Sequence, residues 1–559
     1  MIGLVTTTAA GRAGAARLEI AGWEVAGSEV ATETRTYAVR EIQRAWRECD
    51  ALVCFLAVGA TVRLLAPLLV DKTTDPGVVC VDEAHRFAVP VLGGHAGGAN
   101  ALAERVADAL GGTAVITTAT DATGFPGLDT LGWPVEGAVA AVSRAMLDGE
   151  PLELTGERTW PLPPLPLGDD AEHVLLVTDR LVPLDPLTAI LRPPSLALGI
   201  GASRGVKVSE LEDLVDRALA DAGLSVASVL GVATVDAKAD EPGLLALCER
   251  RGWPLTIYPA AALAEVPVPN PSEHPQRAVG TPSVAEAAAL LLGDELVVEK
   301  VKSPMATVAV ARRHPRGRLA LVGIGPGSRD LLTPRAREEL RRASVWVGLD
   351  QYVDQVRDLA RPGTRMLITG LGKEEERAHS AVHQAQLGHA VALIGSGDAG
   401  VYAMASPALE AAGTDIDVVG VPGVTAALAA SSLLGAPLGH DHVSISLSDL
   451  HTPWGAIEAR VRAAAVADLV VTFYNPRSRG RDWQLPRALE LLAEHRPATT
   501  PVGVVTDASR AGETVLLTTL TDLDPGEVTM LACVVVGSSQ SAVIGGRFVT
   551  PRGYRWAAT

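Results

Sequence analysis

The stretch LALVGIGPGSRDLLT, Leu319–Thr333, decides how the rest of the chain is read. Leu319–Val322 is a short apolar run suited to a buried parallel strand. It breaks into Gly323, Gly325, Pro326 and Gly327, and a helix is expected to begin near Thr333. Glycines at 323 and 325 bare the main chain to a ligand, while Pro326 fixes φ and removes a donor. The dinucleotide fingerprint requires a third glycine at position 328, and Ser328 stands there instead. Taken alone the turn is also compatible with an ordinary βα connection, so the sequence after it has to decide.

Downstream the strand–turn–helix rhythm continues. Apolar runs recur at Val345–Val347, Val391–Ile394, Asp417–Val421, Val443–Leu447, Leu469–Phe473, Val502–Thr506 and Met530–Val536, which predicts an α/β region. Two further loops carry motifs: GSGDAGVYAM (Gly395–Met404) and VPGVTAA (Val421–Ala427). With the first turn, they resemble the S-adenosylmethionine-dependent tetrapyrrole methylases. GLGKEEERA (Gly370–Ala378), LGAPLGHDHVSISLSDLHTPW (Leu434–Trp454) and FYNPRSRGRDWQL (Phe473–Leu485) are similar to the precorrin-3B or cobalt-factor III C-17 methyltransferases of cobalamin biosynthesis. The resemblance covers about residues 318–559. It implies two α/β subdomains with the active cleft between them, S-adenosyl-L-methionine as cofactor and a tetrapyrrole as substrate. It further implies a homodimer, and a cofactor site lined by Pro326, Ser396, Gly397, Asp398, Val401, Thr425, Ala426, Asn475 and Ala508. Ala399 follows Asp398 where the family often has proline; alternatively, Asp398 is a turn aspartate bonding its own backbone.

Methyl transfer to carbon depends on alignment and exclusion of water more than on an acid or base. A macrocycle rich in carboxylates calls for guanidinium groups. Arg477, Arg479 and Arg481 follow a buried strand and fall on one side if the segment is extended. Ring contraction needs a proton carrier; the candidates are Asp350, Glu375, His440, Asp441, His442, Asp449 and His451, with Asp449 and His451 put forward as catalytic. His379 and His383, one turn apart on a helix, read as an exposed face and not a metal pair.

At 559 residues the chain is too long for one core and predicts three or four domains. Only 4% of it is aromatic and its formal charge is −17, which argues against nucleic-acid binding and requires that an anionic substrate be met by a local basic cluster. The 5 cysteines contain no C-x-x-C pair and read as reduced core residues, with no metal site expected. No signal-peptide pattern opens the sequence and no apolar run reaches membrane-span length, so a cytoplasmic enzyme with no membrane partner is expected.

The N-terminal half divides by character into a small α/β domain over 1–120, a proline-rich middle domain or bridge over 121–195, and a second α/β domain over 196–312. In the first, strands are predicted at Ile2–Thr6, Ala51–Val58 and Ala114–Thr118, and a helix at Ala99–Leu110. His95 sits in VLGGHAGGAN between two glycine pairs, where an imidazole reaches a ligand with little hindrance; the alternative is a surface histidine on a loose turn. In the middle segment, Val174–Thr178 reads as a strand. The third opens with LALGIGASRG (Leu196–Gly205) and a helix over Val208–Gly223 that Ser209 is expected to start. Lys238, Lys300 and Lys302 lie in mixed-charge clusters near strand ends, where α/β sheets bind ligands.

AVGATVRLLAPLLVDKTTDPGVVCVDE (Ala57–Glu83), LGGHAGGANALA (Leu92–Ala103), ITTATDATG (Ile116–Gly124), GIGASRGV and EKVKSPM resemble cobalt-precorrin-5A hydrolase. That family opens a lactone on the macrocycle and releases acetaldehyde. Opening a lactone needs a base and oxyanion donors; His95 and the main chain of Gly93–Gly98 supply both in principle, and Lys238, Lys300 and Lys302 are candidate carboxylate anchors. The chain thus reads as a bifunctional corrin-ring enzyme. Two alternatives stay open: a methyltransferase fused to a non-catalytic tetrapyrrole-binding module, and a methylase acting at another ring position.

Overall fold

The computed structural model describes residues 1–20, 25–26, 34–71, 74–94, 97–117, 127–128, 131–478 and 480–554. The chain forms two compact units, one of residues 1–157 and 165–314, the other of residues 158–164 and 315–559.

The described residues of the first unit form three sheets. The strands Ile2–Thr6, Ala51–Phe55, Gly77–Val81 and Phe87–Leu92 form the body of a six-stranded sheet. Its strands pair in parallel except for Gly77–Val81 against Phe87–Leu92. The predicted helix Ala99–Leu110 is present and buries Leu102, Val106 and Leu110 against Val53, Phe55 and Val79. The expected strand Ala51–Val58 stops at Phe55, because Ala57 starts the helix Val58–Leu65. That expected from Ala114 is confined to Thr113–Ala114, and Thr118 lies outside the described residues.

Within the proline-rich segment the sheet has four strands, including Leu152–Gly156, His173–Val177 and Thr188–Leu191, with the helix Val139–Asp148 packed on it. Prolines dominate the connections and leave those strands free to pair.

The third sheet runs Leu255–Tyr258, Val229–Val235, Leu196–Ala202, Ala306–Arg312, Glu295–Lys302, with the last two antiparallel to their neighbours. Its first helix, Val208–Asp221, begins after Lys207, which makes no side-chain cap hydrogen bond, and Ser209, expected to start it, lies inside its first turn. Glu210, in the first turn, instead accepts hydrogen bonds from Ser303 Oγ at 2.6 Å and Met305 N at 2.7 Å, which ties the helix start to the hairpin turn.

The second unit contains two larger sheets. Five parallel strands run in the order Arg365–Thr369, Val345–Leu349, Ala390–Gly395, Arg318–Gly323, Asp417–Val421. Arg318–Gly323 is an interior strand, and Leu319–Val322 is buried on both faces, as a parallel strand covered by helices requires. Burying each such Leu or Val contributes about 1.5–3 kcal/mol. The helix after the turn is Pro334–Arg342, and Thr333 Oγ1 caps it by accepting from Ala336 N at 3.2 Å. The other large sheet runs His442–Ser446, Val470–Tyr474, Ala532–Val536, Pro501–Thr506, Thr514–Thr519. No helix among the described residues is long and apolar enough to cross a membrane. All 5 cysteines are free and buried, as read from sequence.

Candidate active site of the second unit

The strands ending at Gly323, Gly395 and Val421 are adjacent and parallel, so their loops emerge side by side at the carboxyl edge of the sheet. The loops then approach through main-chain atoms. Gly325 N donates to Gly397 O at 3.0 Å, and Gly397 N returns a bond to Gly325 O at 2.8 Å. A Cβ added at Gly323 would lie 2.7 Å from Gly397 O and 2.9 Å from Gly423 N. Only glycine permits three backbones to meet this closely.

Asp398 fastens the meeting point. Its Oδ1 accepts from Gly400 N at 2.8 Å, the turn role weighed above, and its Oδ2 accepts from Gly423 N at 3.0 Å. The carboxylate therefore joins two loops, which offsets the rigidity lost with Ala399 in place of proline. Val401 N continues the turn by donating to Asp398 O at 3.2 Å. Thr425 stands at the start of the helix Ala426–Leu434, and its Oγ1 lies 2.6 Å from the Tyr474 hydroxyl, which also accepts from Ala427 N at 2.9 Å. Burial pushes the Tyr474 hydroxyl pKa up, so it stays protonated. Ala426 and Ala508 pack with Tyr474 against one apolar cluster. Asn475, at φ 51°, turns away from its strand and donates to Ser446 Oγ at 3.1 Å. Pro326 and Ser396 are held by a residue absent from the sequence reading. Arg510 donates through Nε to Pro326 O at 2.7 Å and through Nη2 to Ser396 Oγ at 3.1 Å.

Beside this cradle lies a cavity of about 850 Å³, lined among others by Glu375, Tyr402, Met404, His451, Arg460 and Asn475. Tyr402, at φ 52°, donates to Ser444 O at 2.8 Å and sets its ring 5.1 Å from that of Tyr474.

Of the two residues expected to be catalytic here, His451 lines the cavity and Asp449 is not among its lining residues; Asp449 Oδ2 accepts from Gln484 Nε2 at 3.0 Å. Arg477 and Arg481 do not lie on one extended segment. Ser478 and Arg481 exchange main-chain hydrogen bonds at 3.0 Å each, and Gly480 takes φ 78°, so the chain folds back. Arg477 consequently reaches the Gly526 carbonyl, while Arg481 is buried with its pKa lowered by that burial. Neither lines the cavity, and Arg479 lies outside the described residues. The guanidinium on the cavity wall is that of Arg460. Its signal in the sequence was weak, since it sits in the alanine-rich helix Trp454–Val466 with no motif around it. His379 and His383 are exposed, as expected.

In the first unit, His95 lies outside the described residues. The loop flanking it is closely packed: Gly93 takes φ 63°, and a Cβ on Gly77 would meet Gly97 O at 2.1 Å. Lys238 and, some sixty residues later, Lys300 and Lys302 line one cavity of about 540 Å³.

Residues 318–524 match the family of tetrapyrrole (corrin/porphyrin) methylases, residues 196–311 the family described as cobalamin synthesis G C-terminus, and residues 40–121 cobalamin synthesis G N-terminal. The chain is 50% identical over 240 residues to a probable cobalt-factor III C(17)-methyltransferase of Salmonella typhimurium, covering 42% of this chain and 99% of the relative. It is 38% identical to the precorrin-3B C(17)-methyltransferase of a Sinorhizobium species, over 41% of this chain and 91% of that one. It is 42% identical to the cobalt-factor III methyltransferase of Priestia megaterium, over 43% of this chain, and spans 46% of that longer relative. The chain belongs to the tetrapyrrole methylase family through its C-terminal part, and ahead of that part it carries segments matching both halves of the cobalamin synthesis G family.

Proposed function

We propose that the chain is a bifunctional enzyme of cobalamin biosynthesis. The second unit would methylate C-17 of precorrin-3B or cobalt-factor III with ring contraction, and the first would open the lactone of cobalt-precorrin-5A. The observation that carries the reading is the three-loop main-chain cradle beside a cavity in the part of the chain that matches the C-17 methyltransferases.

The residues present fit S-adenosyl-L-methionine: small side chains and main-chain groups surround the cradle, and glycine is required where its backbones cross. The cofactor would be held by Pro326, Ser396, Gly397, Asp398, Val401, Thr425, Ala426, Asn475 and Ala508. When bound, it supplies an electrophilic methyl group. The chain's own contribution is alignment and exclusion of water, and holding two reactants in line is worth about 7–11 kcal/mol of barrier. Arg460 is the proposed anchor for a carboxylate of the macrocycle. His451, on the cavity wall, is the proposed proton carrier for ring contraction.

In the first unit, His95 is the proposed base for water attack, and the main chain of its loop the donor set for the oxyanion. His95→Ala should abolish acetaldehyde release and leave methylation intact; full hydrolase activity in that variant would remove His95 from the mechanism. A cytoplasmic homodimer completes the proposal, to be checked by light scattering.

The decisive assay is mass spectrometry of the full chain with S-adenosylmethionine and, separately, precorrin-3B, cobalt-factor III and cobalt-precorrin-5A, with acetaldehyde measured in parallel. One added methyl on an early substrate and acetaldehyde from the late one are expected. Methylation without acetaldehyde would reduce the first unit to a binding module.

A further inference from the structure

The cavity in the first unit has an unusual charge for this protein. Arg204, Lys238, Lys300 and Lys302 line it, and no carboxylate is among its described lining residues, although the whole chain carries 65 acidic and 48 basic residues. Its volume of about 540 Å³ lies in the range of small-molecule sites.

The cations are brought there by the fold. Arg204 follows the strand Leu196–Ala202, and Lys238 follows the adjacent parallel strand Val229–Val235, so both leave the sheet at its carboxyl edge. Lys300 and Lys302 come from the strand Glu295–Lys302. Two buried carboxylates hold this arrangement from behind. Glu241, only 1% exposed, accepts from Gly205 N at 2.9 Å and stands 3.9 Å from Lys238 Nζ, linking the two loops. Glu286, fully buried, accepts from Asn270 Nδ2 at 2.8 Å and Lys300 N at 3.2 Å, and Lys300 Nζ in turn donates to Asn270 O. Lys302 has no such partner among the described residues and is exposed. Arg204 stands 3.7 Å from the exposed Asp240, so part of the positive charge is offset from outside the cavity; on the wall itself the four cations still favour a ligand that supplies several negative groups.

Among the described residues the lining offers no imidazole, thiol or phenol, nor any carboxylate to act as a base. We infer that this cavity is a binding site for a polycarboxylate, and that it holds its ligand without cleaving it. On the reading of the first unit given above, the ligand is the carboxylate-bearing edge of the corrin precursor. Hydrolytic chemistry then belongs to another part of that unit.

The test uses the full chain and an aromatic porphyrin with eight carboxylates, its binding followed by fluorescence and compared with that of the octamethyl ester. Arg204→Gln combined with Lys302→Gln removes two exposed charges, so the fold is not endangered; unchanged thermal unfolding checks this. The wild type should bind two equivalents of the acid, one per unit, and the variant should lose at least tenfold affinity for one of them. The ester should not compete for that equivalent. Equal binding by wild type and variant, or binding of the ester as tight as that of the acid, would overturn the inference. Acetaldehyde release, measured on the same samples, separates the two ideas. Wild-type binding as expected without acetaldehyde would sink the hydrolase reading and leave the binding site standing. Acetaldehyde release by the variant with kcat and KM unchanged would sink the binding site and leave the hydrolase. A rise in KM at constant kcat is the result expected of a site that only holds.

Discussion

The Arg510 guanidinium donates to the Pro326 carbonyl at 2.7 Å, across 184 residues of sequence, and its second contact is the Ser396 hydroxyl. One side chain from the loop after Pro501–Thr506 thus holds both the glycine turn and the loop after Ala390–Gly395. Gly327 makes room for it, because a Cβ there would lie 2.5 Å from Arg510 Cγ. Hydrogen bonds to a charged group contribute about 1.5–3 kcal/mol. Arg510→Ala should therefore raise the KM for S-adenosylmethionine about tenfold or more. Gly327→Ala should act in the same direction, and the double variant should be no worse than Arg510→Ala alone. Additive losses in steady-state kinetics would show that the two residues act separately.

Tyr474 is the second such tie. Its hydroxyl meets Thr425 Oγ1 and Ala427 N at the start of the helix Ala426–Leu434, and Tyr474→Phe leaves both without that partner. The cost should be about 1–3 kcal/mol of stability, read as a lower midpoint in urea. Because the same helix start belongs to the proposed cofactor site, binding of S-adenosylmethionine should weaken as well. A variant with wild-type stability and affinity would show the contact to be incidental.

Much of this architecture was legible in the sequence, and the reasons differ by residue. Leu319–Val322 and the helix cap Thr333–Pro334 are local signals, so strand, turn and helix could be placed from a dozen residues. Arg477 and Arg481 show the limit. Alternate spacing puts them on one side only in an extended chain, and the φ of Gly480 reverses the chain between them. Arg510 carried no local signal, since its partners are set by how distant strands end together, and Arg460 carried only a weak one in an alanine-rich helix with no motif around it. Asp398 was readable as a turn residue, but its bond to Gly423 required knowing that two loops meet.

His389 gives a prediction in pH. Burial first, and Arg365 second, lower its pKa below the ordinary histidine value. Between the lowered folded value and about 6.5 the unfolded chain binds the extra proton, so stability rises with pH through that window and levels off above it. Urea unfolding at pH 5–8 should show a smaller slope in His389→Gln than in the wild type. Identical slopes would assign the pH dependence to other groups.

Gly423 and Asp398 separate geometry from chemistry at the cradle. A Cβ on Gly423 would stand 2.0 Å from Gly397 O and 2.7 Å from Gly323 O, both main-chain atoms that cannot swing aside. Gly423→Ala should cost about 4 kcal/mol or more and abolish methyl transfer through loss of the loop arrangement. Asp398→Asn is gentler. The amide keeps one acceptor oxygen, so it can serve Gly400 N or Gly423 N but not both. A loss of about 1–3 kcal/mol is expected, together with a rise in KM for S-adenosylmethionine that exceeds any fall in kcat. If kcat instead collapses while unfolding and KM stay at wild-type values, the Asp398 carboxylate takes part in the transfer itself and its role as a clamp is secondary.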